Sequence, residues 1–192
     1  MFIKKALLFF FLSIMTSSLL AQNAKKMEEV CYNPNLVKDT SKKSINSMAV
    51  GVVGGDSVII KYHSPGVRKR VIWGGLVPYD EVWVTGAHNA TTIEFRNPVI
   101  IGGKRLPAGK YALFTIPGRK EWIVIINKQW DQHLATEYDQ KEDVVRVKVK
   151  PLKNTHTERL QYFVKDAGKG KGNITVAWEK LSLSFGLEVL QK

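Results

Sequence analysis

The stretch LSLSFGLEVL, residues 181–190, decides the fold. Leu181, Leu183, Phe185, Leu187 and Val189 alternate there with Ser182, Ser184, Gly186 and Glu188. Successive side chains of a strand point to opposite faces, so strict alternation marks a strand with one face buried and one in water; a helix would need apolar residues every third or fourth position. The same period recurs in 56–64, where Val58, Ile60 and Tyr62 oppose Ile59, Lys61 and His63, and in 143–150, where Val145, Val147 and Val149 oppose Arg146, Lys148 and Lys150. EWIVIIN at 121–127 is apolar on both sides, the pattern of a strand covered on both faces. Gly54-Gly55, Gly74-Gly75, Gly102-Gly103 and Pro117-Gly118 punctuate these runs at the spacing of hairpins and sandwich corners. Only 128–138 offers room for one short helix. The fold expected is all-β: an antiparallel β-sandwich, jelly-roll-like, in a single domain, with an open meander or a barrel as the alternative.

The domain expected spans 47–192. Ahead of it, 22–46 is polar and without periodicity, with Lys25-Lys26, Glu28-Glu29 and Lys42-Lys43, and reads as a mobile leader or at most an edge segment. Residues 1–21, MFIKKALLFFFLSIMTSSLLA, have a basic start at Lys4 and Lys5, an apolar run from Ala6 to Met15, and small residues before Ala21. That layout is a secretory signal peptide cleaved after Ala21, and its apolar run is short of the ~20 residues a membrane-spanning helix needs. The expected location is periplasmic or secreted, with no stable transmembrane anchor after cleavage. In that compartment the single cysteine, Cys31, builds no internal disulfide framework.

The chain has 192 residues and a formal net charge of +12, from 29 Lys+Arg against 17 Asp+Glu. Such a balance invites a nucleic-acid reading. No nucleic-acid motif accompanies it, however, and export removes the protein from genomic DNA and cytosolic RNA. The cations concentrate at Arg68-Lys69-Arg70 and in a stripe of Arg146, Lys148 and Lys150, which suits a solvated strand face or contact with an anionic glycan or envelope surface.

No GxSxG, HExxH, GxxxxGK[ST] or EF-hand pattern is present. The run Gly168-Lys169-Gly170-Lys171-Gly172 lacks the Ser/Thr and helix of a phosphate loop and reads as a hairpin tip. His63 with His88, and Asp131-Gln132-His133, are the only contributors to a metal site the chain offers, and their spacing is not that of a ligand set; no metal and no cofactor are expected. The densest stretch is WGGLVPYDEVWVTGAHNATT, 73–92. Aromatic rings stack on sugars and amides orient hydroxyls, so these residue types on a sandwich point to a carbohydrate-binding face. The competing expectation, and the favoured one, is that Trp73 and Trp83 fill the core.

At this stretch the chain resembles DUF2911, a family of exported bacterial domains of unknown function common in Bacteroidetes. The likeness rests on Tyr62-His63-Ser64-Pro65, Arg70, Gly75-Leu76-Val77-Pro78-Tyr79, Val82-Trp83, Thr85-Gly86-Ala87 and Ala90-Thr91-Thr92. It continues through 106–111, 114–118, Glu121-Trp122, Tyr138-Asp139 and 143–147, in the family's order, and covers roughly 49–178. The resemblance implies a compact, mostly β domain behind a signal peptide, and no activity. Three positions depart from the family pattern: Val84 stands where Arg is usual, His88 where Asn is usual, and Lys69 where Gly precedes Arg70.

The function expected is a non-catalytic binding module for a glycan, a peptide or an envelope component, with Tyr62, Arg70, Trp83, Thr85, His88 and Asn89 as candidate binding residues and no catalytic residue assigned. One alternative is a small-site enzyme of hydrolase or isomerase type, built from His88, Asn89 and Arg70 with Asp80 or Glu81. A structural or assembly role in the cell envelope is the other.

Overall fold

The computed structural model describes residues 42–190; the expected signal peptide, residues 22–41 of the polar leader and Cys31 lie outside them. Ten strands form two antiparallel sheets: β1 (Ser44–Val53), β2 (Asp56–Pro65), β3 (Thr91–Phe95), β4 (Val99–Ile101), β5 (Lys104–Leu106), β6 (Gly109–Ile116), β7 (Trp122–Asn127), β8 (Asp143–Val149), β9 (Leu152–Gly168) and β10 (Lys171–Val189). Six make one sheet in the order β1-β2-β3-β6-β7-β8, and four make the other in the order β5-β4-β10-β9. The protein is an all-β sandwich. β1 is an edge strand and takes in Ser44, Ile45 and Asn46 at the end of the polar stretch.

Each element follows from local chemistry. β1 and β2 pair along ten residues and turn through Gly54 and Gly55, whose φ angles of 57° and 85° are those of a two-residue turn matching strand twist. The glycine-rich run at 168–172 is the tip of the β9–β10 hairpin. The run that opened the sequence is the second half of β10; a register shift at Glu179, with φ 54°, separates it from the first half. The segment 128–138 forms no helix, correcting the expectation from sequence. Its backbone groups bond outward instead: Ala90 N donates to Gln132 O at 3.0 Å and Leu134 N to His88 O at 2.7 Å. Leu134 also takes φ 58°, which an α-helix excludes. A single 3-10 turn, Gln140–Glu142, follows.

Between the sheets lies one apolar core, supplied from the six-stranded side by Val58, Ile60, Ile93, Phe95, Leu113, Val124 and Ile126, and from the other by Leu160, Tyr162, Val164, Ile174, Val176, Leu183, Phe185 and Leu187. At one end Trp73 and Trp83, from the long β2–β3 connection, meet Trp122 of β7 and Trp178 of β10. Trp73 sits edge-on to Trp122 at 4.9 Å and to Trp178 at 5.8 Å, while Trp83 stacks on Trp178 at 5.8 Å. Rings arranged edge-to-face or offset add about 0.5–1.5 kcal/mol per pair beyond the area they bury. A smaller cluster covers part of the outer face of the six-stranded sheet: Val84, Ala90, Ala112, Phe114 and Ile125, joined by Val82, Ala135 and Tyr138. This explains EWIVIIN, since Val124 and Ile126 face the sandwich core while Ile125 faces the outer cluster.

At Gly51 the two sheets approach so closely that a Cβ would lie 2.5 Å from the Val164 Cβ. Gly51→Val is expected to cost about 1–3 kcal/mol through overpacking. Urea unfolding checks this, and a variant as stable as the parent would contradict the packing described.

Candidate functional site

The outer face of the six-stranded sheet is only half covered, and strand register places what remains. Met48 of β1 stands opposite Lys61 of β2, which stands opposite Thr92 of β3. One row further along, Asn46 stands opposite His63. Thr92 in turn pairs with Ala112 of β6, and Lys110 lies two residues from Ala112, on the same face. These side chains form the floor of an open groove of about 420 Å³, whose walls carry Asn89 and Ala90 on one connection and Trp130, Asp131 and Gln132 on another.

The second wall is a loop, and the sequence anchors it at both ends. Near its start, Asn127 is fully buried and its Nδ2 donates to Asp139 O at 2.9 Å and to Asp143 Oδ1 at 2.8 Å, while its Oδ1 accepts from Gln129 N at 2.8 Å. Beyond it, the Tyr138 hydroxyl donates to Asp143 Oδ2 at 2.6 Å, and Arg146 Nη1 donates to the same oxygen at 2.6 Å. Burial, with the adjacent carboxylate second, pushes the Tyr138 hydroxyl up to about 12, so it stays a donor at any physiological pH. In the middle, Gln132 is 4% exposed and its Nε2 donates to Gln129 O. Its Oε1 is buried without a protein hydrogen-bond partner. Trp130, at the tip, is 39% exposed, with Lys110 Nζ 3.5 Å from its ring centre.

Three of the four histidines meet at one end of the groove. The rings of His63 and His88 lie edge-to-face with centres 5.2 Å apart. His88 Nε2 is hydrogen-bonded to Ser44 Oγ at 2.8 Å, and His133 Nδ1 to Asn89 Oδ1 at 3.0 Å. Burial first, then the charges of His88 and His133, hold the His63 imidazole below its ordinary value of 6.5. Among the described residues no three His, Cys, Asp or Glu side chains are placed to hold one metal ion.

Of the six candidate binding residues, Asn89 lines the groove and His88 flanks it through His63. Tyr62 also borders the groove, although its ring is turned away from it, and Arg70, Trp83 and Thr85 lie elsewhere. Tyr62 points into the sandwich core against Tyr162, ring centres 4.8 Å apart. Arg70 closes its own turn, donating to Gly66 O at 2.6 Å and to Val67 O at 3.2 Å. Trp83 is half-buried in the tryptophan cluster, and its Nε1 donates to Gly86 O at 3.0 Å. Thr85 is fully buried and hydrogen-bonded to Thr115 Oγ1 at 2.9 Å. Among the described residues no hydrogen bond or ion pair joins His88 to Arg70, Asp80 or Glu81. Sequence reasoning missed Trp130, Lys110 and Met48. The outward phase of Lys61 and His63 on β2 was visible, and it was the signal that could have located the floor.

The basic stripe is exposed; Arg146 is engaged with Asp143 at 2.6 Å and Lys148 with Glu121 at 3.0 Å, while Lys150 forms no ion pair among the described residues. No helix among the described residues is long and apolar enough to cross a membrane.

The model of the DUF2911 family, described as a protein of unknown function, matches residues 44–187, from the first residue of β1 to within two residues of the end of β10. No curated protein and no solved structure matches the chain.

His63 provides a test of the groove's electrostatics. Its value is lower in the folded protein than in the unfolded chain, so the unfolded chain binds the proton more readily. Stability is therefore complete above about pH 6.5 and falls as pH drops below it. His63→Gln is expected to flatten this fall, measured by urea unfolding at about pH 7.5 and about pH 5.5. His88→Gln is expected to raise the His63 value in an NMR titration; an unchanged value would show the two rings are not in contact.

Proposed function

We propose that this chain, which belongs to the DUF2911 family, is an exported, non-catalytic binding module whose ligand is a glycan. The observation that carries the reading is Trp130: an indole 39% exposed at the lip of a groove whose lining includes amides, hydroxyls and amines beside Met48, His63 and Asp131. A sugar ring presents an apolar face and a rim of hydroxyls. Trp130 meets the first, and Asn46, Asn89, Gln132 and Thr92 meet the second. The unpartnered Gln132 Oε1 adds a reason for a donor ligand, because a buried acceptor without a hydrogen bond costs about 1–3 kcal/mol. The groove is open and built on rigid strands, and its wall loop is clamped at Asn127 and Asp143, so its groups are held in place before a ligand arrives.

An enzymatic reading has less support. His88 is engaged with Ser44 and His63 and is bonded to none of Arg70, Asp80 and Glu81, and among the described residues no hydrogen bond or ion pair joins Asp131 to His63 in the groove. Export rests on residues 1–21: the basic start, the apolar run and the small residues before Ala21.

Trp130→Ala is expected to weaken oligosaccharide binding by about 2 kcal/mol or more, the loss usual for an anchoring tryptophan, with the melting temperature unchanged. Calorimetric titration of a plant and bacterial glycan panel checks this; tight binding that survives Trp130→Ala would place the ligand elsewhere. Full-length chain expressed in a Gram-negative host is expected outside the cytoplasm with Gln22 as its first residue, and intact Met1 in the cytoplasm would contradict export.

A further inference from the structure

We infer that the groove selects an acidic saccharide, one carrying a carboxylate or sulfate group, over its neutral counterpart. The inference rests on the glycan reading above and adds the ligand's charge. It follows from the charge balance inside the groove, which is lined by two lysines and one carboxylate. On β8 Arg146 is paired with Asp143 and Lys148 with Glu121, while Lys150 beyond them forms no ion pair among the described residues. In the groove neither lysine is paired. Lys61 stands on the floor with no ion pair or hydrogen bond among the described residues. Lys110 Nζ lies 3.5 Å over the face of Trp130 and forms no ion pair or hydrogen bond among the described residues. Glu94, opposite Lys110 in the β3–β6 register, forms no ion pair with it, and the groove's one acidic lining residue is Asp131.

Spacing converts that imbalance into selectivity. Lys61 and His63 occupy successive outward positions of β2, Lys110 lies across β3 on β6, and Trp130 stands above Lys110. A sugar ring laid on the indole brings its substituents over a floor bearing two ammonium groups. A carboxylate or sulfate there gains charge-assisted hydrogen bonds, while a neutral hydroxymethyl group leaves both amines as they were. The amide side chains at the other end, Asn46 and Asn89, have no charge preference and serve the remaining hydroxyls.

The test is calorimetric titration of the domain with four probes: a trigalacturonate, the neutral galactose trisaccharide, a sulfated galactose trisaccharide, and citrate as a small anion without a sugar ring. Lys61→Gln/Lys110→Gln, two changes at the protein surface, is titrated in parallel, with its melting temperature as the control for folding. At least one acidic trisaccharide is expected to bind tenfold or more tighter than the neutral one, and the double variant is expected to bind acidic and neutral trisaccharides equally. Carboxylated and sulfated arms then identify which acid is preferred. Equal binding of neutral and acidic trisaccharides overturns the inference and leaves the glycan reading standing. Citrate binding as tightly as the trisaccharides also overturns it, as does a preference that survives in the double variant. No binding of any sugar overturns both.

Discussion

A six-stranded sheet has two faces, and a four-stranded sheet can cover only one. This constraint organises the rest of the molecule. The inner face is closed by β4, β5, β9 and β10. The outer face carries Phe114 and Ile125, which cannot be left in water without forfeiting about 25 cal/mol for each Å² of apolar surface. The chain covers them with connections, folding Val82, Val84 and Ala90 over one side and Ala135 and Tyr138 over the other. These connections bond to each other through Ala90, Gln132, His88 and Leu134, so the cover is itself a small paired structure. It ends at Ala90 and Trp130, and beyond that edge the sheet's outward residues, Lys61, His63 and Thr92, form the floor of the groove.

The same constraint separates what the sequence makes legible from what it hides. Alternation identified β2, β8 and the second half of β10, because those strands bury one face, and the doubly apolar 121–127 was read as covered twice for the reason the structure confirms. The first half of β9 has no alternating signal, because Leu152–Thr157 is exposed or half-exposed on both sides. The strand β10 was seen only from Leu181, since the bulge at Glu179 breaks the period. A loop segment has no period at all, so 128–138 reads from sequence only as room for a short helix, and nothing there marks Trp130.

The aromatic-rich stretch 73–92 places its tryptophans in the core, the reading favoured from sequence over a sugar-binding face, but its composition alone could not decide between the two for a physical reason. Composition cannot distinguish rings that stack on a ligand from rings that stack on one another. Trp73 and Trp83 meet Trp122 and Trp178, residues far away along the chain, and that meeting is a property of the tertiary fold. Asn89 and His88, from the same stretch, do reach the groove, because they sit where the connection turns back to pair with the wall loop. Net charge shows the same distinction. The +12 total concerns the whole chain, whereas the balance inside the groove is set locally, by Lys61 and Lys110 against Asp131.

The most direct test of the central claim, that the ligand lies on the uncovered outer face of the six-stranded sheet, is an NMR titration of the isotope-labelled domain with a bound oligosaccharide. The account predicts shifts confined to Asn46, Lys61, His63, Asn89, Thr92, Lys110 and the Trp130 indole. Shifts centred on Trp73, Trp83 and Arg70, with the groove unchanged, would contradict it.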